Sequence, residues 1–348
     1  MISYLTFDYE LHGDGSGDLI VDLLKPTEIL LDILKNQRVL GTFFIEILEF
    51  KVIEEWAIKT KNRVILNELD MIYCQIRNIY ALGHSIQLHI HPQWYGAKFT
   101  ENGWQLNFKN WSCASFTDES ITTIDLFRYC YESLQEIIYP IDSSYRPFVF
   151  RAGSYCAQPS KKIYEAMMSV GLSYDSSVIP GANGYGLSIY SYDMRENYNP
   201  YPVSKSNFGN TGESSVSELP IFTARVFNFS RLVRAFFNSL FSKSKKKKIS
   251  VNGQYLKKTS KFKLLKFAFS TQSQPFDPIY LTRLEIRFFL KRVSKLMPQS
   301  LVMVSHPKGL KSSKLLVYTI KCLKKKGYNF EIFELNKLTP KTRDRSVS

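Results

Sequence analysis

Three of the five histidines in this 348-residue chain lie within eight residues, in the stretch LGHSIQLHIHPQW (82–94). Side chains of an extended strand alternate between two faces, so His89 and His91 share one face and His84 points to the other. Two imidazoles at this spacing suit a chelated divalent metal such as Zn2+, which favours nitrogen ligands. The alternative is that they are polar residues at a strand end, and this stretch alone leaves both interpretations open.

Other ionisable side chains also follow short apolar runs. The set consists of Asp8 and Glu10, His89 and His91, Arg151, Asp175, and His306. Each follows or ends an apolar run that predicts a buried strand. In a parallel α/β barrel the carboxyl ends of the strands meet at one mouth, where catalytic residues converge. The pattern therefore predicts that these side chains form one site.

Strands and helices alternate along the predicted chain. Apolar runs predict strands at 2–7, 39–44, 85–89, 148–150, 172–174 and 301–304. Helical spacing of apolar residues predicts helices at 19–34, 121–138, 161–170 and 311–325, with a kink or boundary at Pro26. This alternation is typical of an α/β fold with parallel strands.

Composition limits the class of protein. The chain is 44% hydrophobic, which is typical of a globular protein, and its five cysteines are scattered without a CxxC pair. That argues against a disulfide framework and against a cysteine zinc site. The start of the chain lacks a signal-peptide pattern, and no apolar run approaches the roughly 18 residues of a membrane span. We expect a cytoplasmic location and a single domain over 1–348, with a basic insertion at about 225–275 and a polar tail at 338–348.

Seven segments resemble the motifs of polysaccharide deacetylases, the NodB-homology or carbohydrate esterase family 4 group. They are LTFDYE (5–10), GTFFIE (41–46), GHSIQLHIHP (83–92), FRAGSY (150–155), YDSSV (174–178), SELPIF (217–222) and VSHPKG (304–309). The segments follow the motif order of that family and span most of the chain. The resemblance implies a distorted (β/α) barrel.

The resemblance also implies catalytic roles. Asp8 matches the general base, and Arg151 would orient it and keep it ionised. His306 matches the acid that protonates the leaving amine, and a neighbouring Asp175 would keep it charged. A backbone N–H near Tyr155 would bind the oxyanion.

The metal-binding motifs depart from the family pattern. The usual second Asp of the first motif is replaced by Tyr9, with a carboxylate one residue later at Glu10. The usual His-x-x-x-His is also absent, because position 93 is Gln. The implied ligand set is Glu10, His89 and His91, holding a divalent metal, with Zn2+ as the expected ion. Loss of the metal is the alternative.

Each catalytic assignment has a structural alternative. Asp8 could cap a loop, and His306 with Pro307 could form a turn. Arg151 and Asp175 could form a structural ion pair with each other.

Three further residues near the predicted mouth have open roles. His84 is expected to cap or pack rather than to bind metal, because of its parity. His12 could serve as a substitute ligand from the loop HGDGSGD. Trp94 could lie in the core or offer a face on which a sugar ring stacks and so bind substrate.

Positive charge is concentrated in one segment. The net charge is +15, and residues 231–268 hold twelve Lys or Arg and no Asp or Glu, so the remainder carries +3. Residues 225–241 show helical apolar spacing before the cluster KSKKKK, a pattern that suits a helix on an anionic membrane or an anionic substrate. We favour the alternative, an insertion that packs one helix and leaves a solvated lysine loop. Nucleic acid binding is not expected, because no nucleic-acid-binding module accompanies the charge.

The sequence therefore predicts metal-dependent hydrolysis of an N-acyl group, expected to be N-acetyl, on an amino sugar. The expected setting is surface polysaccharide (O-antigen or capsule) biosynthesis in the cytoplasm. Peripheral contact with the inner membrane through 225–268 is left open as an alternative. The substrate could be nucleotide- or lipid-linked. Two rival hypotheses are a metal-free, glycan-binding relative of the deacetylases and a membrane- or polyanion-binding protein that acts through residues 225–268.

Overall fold

A computed structural model describes residues 1–184, 186–227, 271–310 and 312–338. Its centre is a ten-stranded mixed sheet. Seven strands of this sheet run parallel, in the spatial order β13 (Ser300–Ser305), β1 (Ile2–Tyr9), β2 (Thr42–Glu46), β3 (Ser85–Ile90), β6 (Val149–Ala152), β7 (Tyr174–Asp175) and β10 (Ser217–Glu218). The strands at 2–7, 39–44, 85–89, 148–150, 172–174 and 301–304 are thus confirmed, within a few residues at their ends.

The sheet curls back on itself. Ile221, shortly after β10, pairs with Val302 of β13, and Phe222 N–H donates to the Val302 carbonyl at 2.9 Å. The strand β13 and the segment after β10, which lie at the two ends of the row of parallel strands, therefore meet through an isolated bridge. This arrangement confirms the predicted distorted (β/α) barrel.

The remaining strands lie around this barrel. Two antiparallel strands extend it beyond β10, β14 pairs with the start of β1, and two separate hairpins complete the set. These strands are β4 (Lys98–Thr100), β5 (Gly103–Gln105), β8 (Tyr201–Ser204), β9 (Asn207–Thr211), β11 (Thr223–Phe227), β12 (Thr271–Pro275) and β14 (Asn329–Glu331).

Helices occupy most of the connections between parallel strands. They are α1 (Lys25–Gln37), α2 (Ile47–Thr60), α3 (Arg63–Ala81), α4 (Thr123–Ile138), α5 (Lys161–Val170), α6 (Arg283–Leu296), α7 (Ser313–Lys325) and α8 (Leu335–Leu338). The predicted helix at 19–34 is present as a wide helical turn (Leu19–Leu24) that continues into α1, with Pro26 in the first turn, where proline is tolerated. The predicted helices at 121–138, 161–170 and 311–325 correspond to α4, α5 and α7, whereas α2, α3 and α6 were not predicted.

The segment 225–275 differs in part from the prediction. Residues 225–227 belong to β11, which pairs antiparallel with β12, so the predicted helix at 225–241 is wrong at its first residues. The rest of that helix and the lysine cluster lie outside the described residues. The single-domain organisation stays a prediction. No helix in the described ranges is both long and apolar enough to cross a bilayer.

Burial on both faces of the parallel strands determines how the site is built. Every side chain of β2 and β3 is buried, including Glu46, Gln87 and His89. A buried polar group costs free energy unless it is hydrogen-bonded, so polar residues at these positions need partners. Glu46 and His89 find partners at the carboxyl ends of neighbouring strands, whereas Gln87 accepts from the N–H groups at the start of β6.

Candidate metal and acid–base site

Glu10, His89 and His91 converge at the mouth of the barrel. Glu10 Oε2 lies 2.7 Å from His91 Nε2 and 3.3 Å from His89 Nε2, and all three side chains are buried. One ligand atom from each lies within 4.8 Å of the others. The predicted parity is confirmed, because Tyr9, between Asp8 and Glu10, points away and donates its hydroxyl to another part of the chain.

The second nitrogen of each imidazole has its own partner. His89 Nδ1 lies 2.8 Å from the Arg151 carbonyl oxygen, so it carries a proton and leaves Nε2 free to bind a metal. His91 Nδ1 lies 2.8 Å from the side-chain amide of Gln93. The atom of Gln93 that faces Nδ1 is Nε2, which donates, so a neutral His91 carries its proton on Nε2, towards Glu10. Binding of a metal through Nε2 requires the other tautomer, with the Gln93 amide turned over. These contacts orient both rings towards Glu10.

The three side chains fit a divalent metal. Two nitrogens and one carboxylate oxygen form a donor set that catalytic zinc sites use, with a further position left for water or substrate. Ligand atoms at 2.0–2.1 Å from one tetrahedral ion are about 3.3 Å apart, close to the separations from Glu10 to the two imidazoles. Glu10, His89 and His91 would therefore be the residues that hold the ion.

Asp8 and Arg151 form a buried ion pair beside these ligands. Arg151 Nη1 donates to Asp8 Oδ1 at 2.5 Å, and the guanidinium also donates to Ser176 and lies over the Phe44 ring. Burial alone raises the pKa of Asp8, but Arg151, His89 and His306 together hold it below its usual value. Asp8 is therefore a carboxylate at neutral pH, as a base requires.

His306 reaches the same cluster from β13. Its Nε2 lies 3.5 Å from Asp8 Oδ2 and 3.4 Å from Glu10 Oε1, and its side chain is partly exposed. Burial lowers the pKa of His306, but the hydrogen bond to Glu10 and the charge of Asp8 raise it above its usual value overall. His306 therefore tends to carry a proton, which is the state of a general acid.

The predicted partner of His306 is wrong. Asp175 lies on β7, where Glu218 of β10 stands opposite it, and it accepts hydrogen bonds from the Ser177 N–H and hydroxyl. Burial raises the pKa of both Asp175 and Glu218, and their proximity to each other adds to the shift at Glu218. A further acidic residue near His306 is Asp277, which accepts from the Ser305 hydroxyl at 2.6 Å. Burial raises the pKa of Asp277, and the charge of His306 offsets part of that rise. Strand order explains the difference, because β13 lies beside β1, not beside β7.

Lys308 is a residue of this site that the sequence analysis missed. Its Nζ donates to Glu10 Oε1 at 2.7 Å and also to the Leu11 carbonyl oxygen. Lys308 lies in the helical turn Pro307–Gly309 after β13, where strand alternation no longer applies, so the period-2 pattern could not have indicated it. Its ammonium donates to Glu10 Oε1, and Oε2 is the oxygen that faces His89 and His91.

Two buried glutamates that were also not predicted accept hydrogen bonds from backbone N–H groups at or next to the proposed metal ligands. Glu46, the last residue of β2, accepts from the His91 backbone N–H at 2.5 Å, and Glu49 accepts from the Leu11 N–H at 2.9 Å. Burial raises the pKa of Glu46 well above its usual value and that of Glu49 to about 8. Both are therefore expected to be neutral at pH 7 and to act as hydrogen-bond partners of the backbone. Glu46 ends an apolar strand, the same signal that indicated the other site residues.

The segment FRAGSY brings Tyr155 to Asp8 by a close approach of the backbone. A Cβ at Gly153 would lie 2.8 Å from the His91 ring, so only glycine fits without displacement of the ligand. Ser154 and Tyr155 follow in the left-handed region, at φ 54° and 58°. The Tyr155 hydroxyl donates to Asp8 Oδ2 at 3.3 Å. The structure thus places the Tyr155 side chain at the site, while the oxyanion role of its backbone stays a prediction.

Trp94, His84 and His12 do not join the cluster. Trp94 is 1% exposed and packs edge-on against Trp104 at 5.4 Å, so the prediction of a sugar-stacking face is wrong and the core alternative is confirmed. His84 Nδ1 accepts from the Gly41 N–H at 3.0 Å, as its parity predicts. His12 is not part of the group of possible ligands in the described part of the chain.

Comparisons with known proteins give structural neighbours but no sequence family. No family model matches the chain, and no curated protein matches it. Solved structures that resemble it include a polysaccharide deacetylase from Bacillus cereus, with TM-score 0.39, 12% identity, and coverage of 96% of this chain and 93% of that chain. Another is a family 4 acetyl xylan esterase from Clostridium thermocellum in complex with a cobalt ion, with TM-score 0.39, 12% identity, and coverage of 97% of this chain and 90% of that chain.

A third neighbour differs in kind. It is a CE4 family pseudoenzyme from Bacillus anthracis, with TM-score 0.38, 11% identity, and coverage of 97% of this chain and 64% of that chain. The solved structures that resemble this chain thus include polysaccharide deacetylases, at low identity and with TM-scores below 0.5.

Proposed function

We propose that this protein hydrolyses an N-acyl group, in the first place N-acetyl, from an amino sugar, with a divalent metal held by Glu10, His89 and His91. One observation carries the proposal: the three possible ligands, a buried ion-paired carboxylate and a partly exposed histidine with a raised pKa lie together at one mouth. This combination provides a base, an acid and a site for a Lewis acid within one cluster.

The residues divide the work of amide hydrolysis. A bound ion supplies a more acidic water and a polarised carbonyl. Asp8 takes the proton of the attacking water, and Arg151 holds Asp8 ionised and oriented. His306 gives its proton to the amine nitrogen as the carbon–nitrogen bond breaks, which yields a free amine and a carboxylic acid. Tyr155, which donates to Asp8, helps to fix the position of the base.

The proposed setting is the assembly of a surface polysaccharide such as O-antigen or capsule, on a nucleotide- or lipid-linked N-acyl sugar in the cytoplasm, with Zn2+ as the ion. The resemblance of the seven motifs to those of polysaccharide deacetylases supports a sugar substrate, and the excess of basic residues would suit an anionic carrier such as a nucleotide or a lipid diphosphate. It is tested by acetate release from nucleotide-linked N-acetyl amino sugars, with O-acetylated xylan as the comparison substrate. Release from the xylan alone would overturn the choice of an N-acyl sugar.

The metal is tested first, by elemental analysis of the purified protein beside the double variant His89→Ala/His91→Ala. His84→Ala is the matched control, because this histidine precedes the same strand and points elsewhere. We expect about one divalent ion per chain in the wild type and in the control, and none in the double variant. Absence of metal from all three proteins after reconstitution would overturn the hydrolytic proposal.

A second candidate function, glycan binding without catalysis, is favoured by one specific contact. Lys308 already places a positive charge on Glu10, where a metal site would normally have a free carboxylate. In that case the wild type binds no divalent ion, yet retains affinity for N-acetylated oligosaccharides. Calorimetric titration with such oligosaccharides, alongside the elemental analysis, separates the two functions.

A further inference from the structure

The outer side of α6 exposes large apolar side chains. Leu284 is 76% exposed and Phe288 is 48% exposed, one helical turn apart, while Ile286 and Phe289 on the opposite side are buried in the core. Isolated apolar side chains on a surface are ordinary, but neighbouring ones on one helix face mark a contact surface. This helix therefore has two apolar faces, of which the protein core covers one.

The same outer side is basic. Arg287, Lys291 and Lys295 are exposed at helical spacing with the two apolar side chains. The one carboxylate of α6, Glu285, is buried and completes the N-terminal cap with Thr282. We call Leu284, Arg287, Phe288, Lys291 and Lys295 together the α6 outer face. It carries positive charge with no exposed carboxylate of its own helix to balance it.

We propose that the α6 outer face docks on the surface of an anionic lipid bilayer. A helix face with bulky apolar residues flanked by Arg and Lys lies in a membrane interface, where the apolar groups enter the headgroup boundary and the cations contact phosphates. Charge complementarity selects the lipid surface, because an apolar partner alone would leave three cations without counter-charges. The proposed surface consists of described residues only.

The basic segment 231–268 would strengthen the attraction to an anionic bilayer, although it is not part of the α6 outer face. The twelve positive charges at 231–268 belong to the connection between β11 and β12, and Arg292 of α6 donates to the Thr223 carbonyl of β11 at 3.0 Å. Positive charge is concentrated in that segment, and the α6 outer face is a second, smaller basic region. Both regions would be attracted to the same anionic surface.

The α6 outer face begins close to the mouth of the barrel. Asp277 accepts from Ser305, next to His306, and also from the Tyr280 N–H at 3.0 Å, just before α6. Ile279 in the same loop lies against Gly309. Docking through the start of α6 would therefore bring the mouth close to the lipid surface. The substrate class that follows is an N-acyl sugar attached to a membrane lipid, and this conclusion rests on the proposed function.

The test is sedimentation of the full-length protein with vesicles, which needs neither metal nor activity. The vesicles are phosphatidylcholine with phosphatidylglycerol at roughly 3:1, or phosphatidylcholine alone, at ~0.05 M and ~0.5 M salt. We expect binding to the anionic vesicles at low salt. The pair Leu284→Glu/Phe288→Glu should lower the partition coefficient on the order of 100-fold. The pair Lys291→Ser/Lys295→Ser should lower it about 5-fold for each charge removed.

The control is Ile58→Glu, which adds a negative charge to an isolated apolar residue on α2 that is 61% exposed. We expect its partition coefficient to be much closer to that of the wild type than those of the two α6 double variants are. Wild-type binding by Leu284→Glu/Phe288→Glu, with an unchanged melting temperature, would overturn the proposal and assign binding to another region. Failure of the wild type to bind anionic vesicles would also overturn it. Dimerisation of the wild type that this pair abolishes, with no lipid binding, would identify a second copy as the partner and overturn the lipid proposal.

Discussion

Replacement of Arg151 by Met should destabilise the protein strongly, because it leaves a buried charge without its partner. The side chains of Arg151 and Asp8 are 0% and 2% exposed. Met keeps an apolar contact with the Phe44 ring but removes the donors to Asp8 and Ser176. Asp8 would then be a buried carboxylate that keeps Tyr155 and His306 as neighbours but has lost the guanidinium that holds it ionised.

The expected cost follows from this geometry. Loss of one partner of a buried ion pair typically lowers the free energy of unfolding by about 3–5 kcal/mol, because the remaining charge stays desolvated. The double variant Arg151→Met/Asp8→Asn removes that charge as well. It should therefore be more stable than Arg151→Met alone, with a coupling energy of about 1–3 kcal/mol.

The assay is urea unfolding at pH 7 in the presence of a chelator, since a bound metal would stabilise the folded state by mass action. The matched control is Arg128→Met, which breaks the Arg128–Asp125 pair, whose side chains are 50% and 44% exposed. That variant should cost less than about 1 kcal/mol. If Arg151→Met costs no more than the control, or if Asp8→Asn does not restore stability, the buried-charge reasoning is refuted.

Three further predictions concern other residues of the barrel. Burial lowers the pKa of His84 to about 4, below its value in the unfolded chain. The free energy of unfolding should therefore fall as the pH drops from 6.5 to 4, by about 3 kcal/mol at most from this residue. Chemical unfolding at several pH values should show a weaker dependence of this free energy on pH for His84→Gln than for the wild type. Trp94→Ala should cost about 3–5 kcal/mol through a core cavity without a selective loss of glycan affinity in the folded fraction, whereas a sugar-stacking residue would show the reverse in titration calorimetry. Lys308→Met should raise zinc affinity by about 10-fold or more in competition with a fluorescent chelator, because it removes a cation from Glu10; unchanged or weaker affinity would show that the ammonium does not oppose the metal.

The strand-end chemistry could be predicted from the sequence because it depends on local order. Asp8, Glu10, His89 and His91 each belong to a run whose alternation fixes the face of every side chain. Parallel strands then bring their carboxyl ends together whichever strand is the neighbour. This is why five strands could be assigned to one mouth before their spatial order was known.

Interactions that depend on strand order could not be predicted in the same way. The partner of Asp175 was wrong because the sequence does not show that β7 lies between β6 and β10 while β13 lies beside β1. Asp277 follows β12, a short polar strand (TQSQP) that has no apolar pattern. The helices α2 and α3 were also not predicted, although their apolar residues pack in the core.

The charges of the mouth are nearly balanced before any cation binds, and this balance bears on the substrate. Asp8 is matched by Arg151 and Glu10 by Lys308, while a protonated His306 adds one positive charge. Burial keeps Glu46 and Glu49 neutral at pH 7, so these residues add hydrogen bonds without adding charge. Metal affinity at such a site must come from the position of three ligand atoms more than from net negative charge. A mouth without a large excess charge also suits an uncharged amide, which is the group that the proposed N-acyl substrate would present. The positive charge of the α6 outer face lies outside the mouth, where the proposed anionic bilayer would meet it.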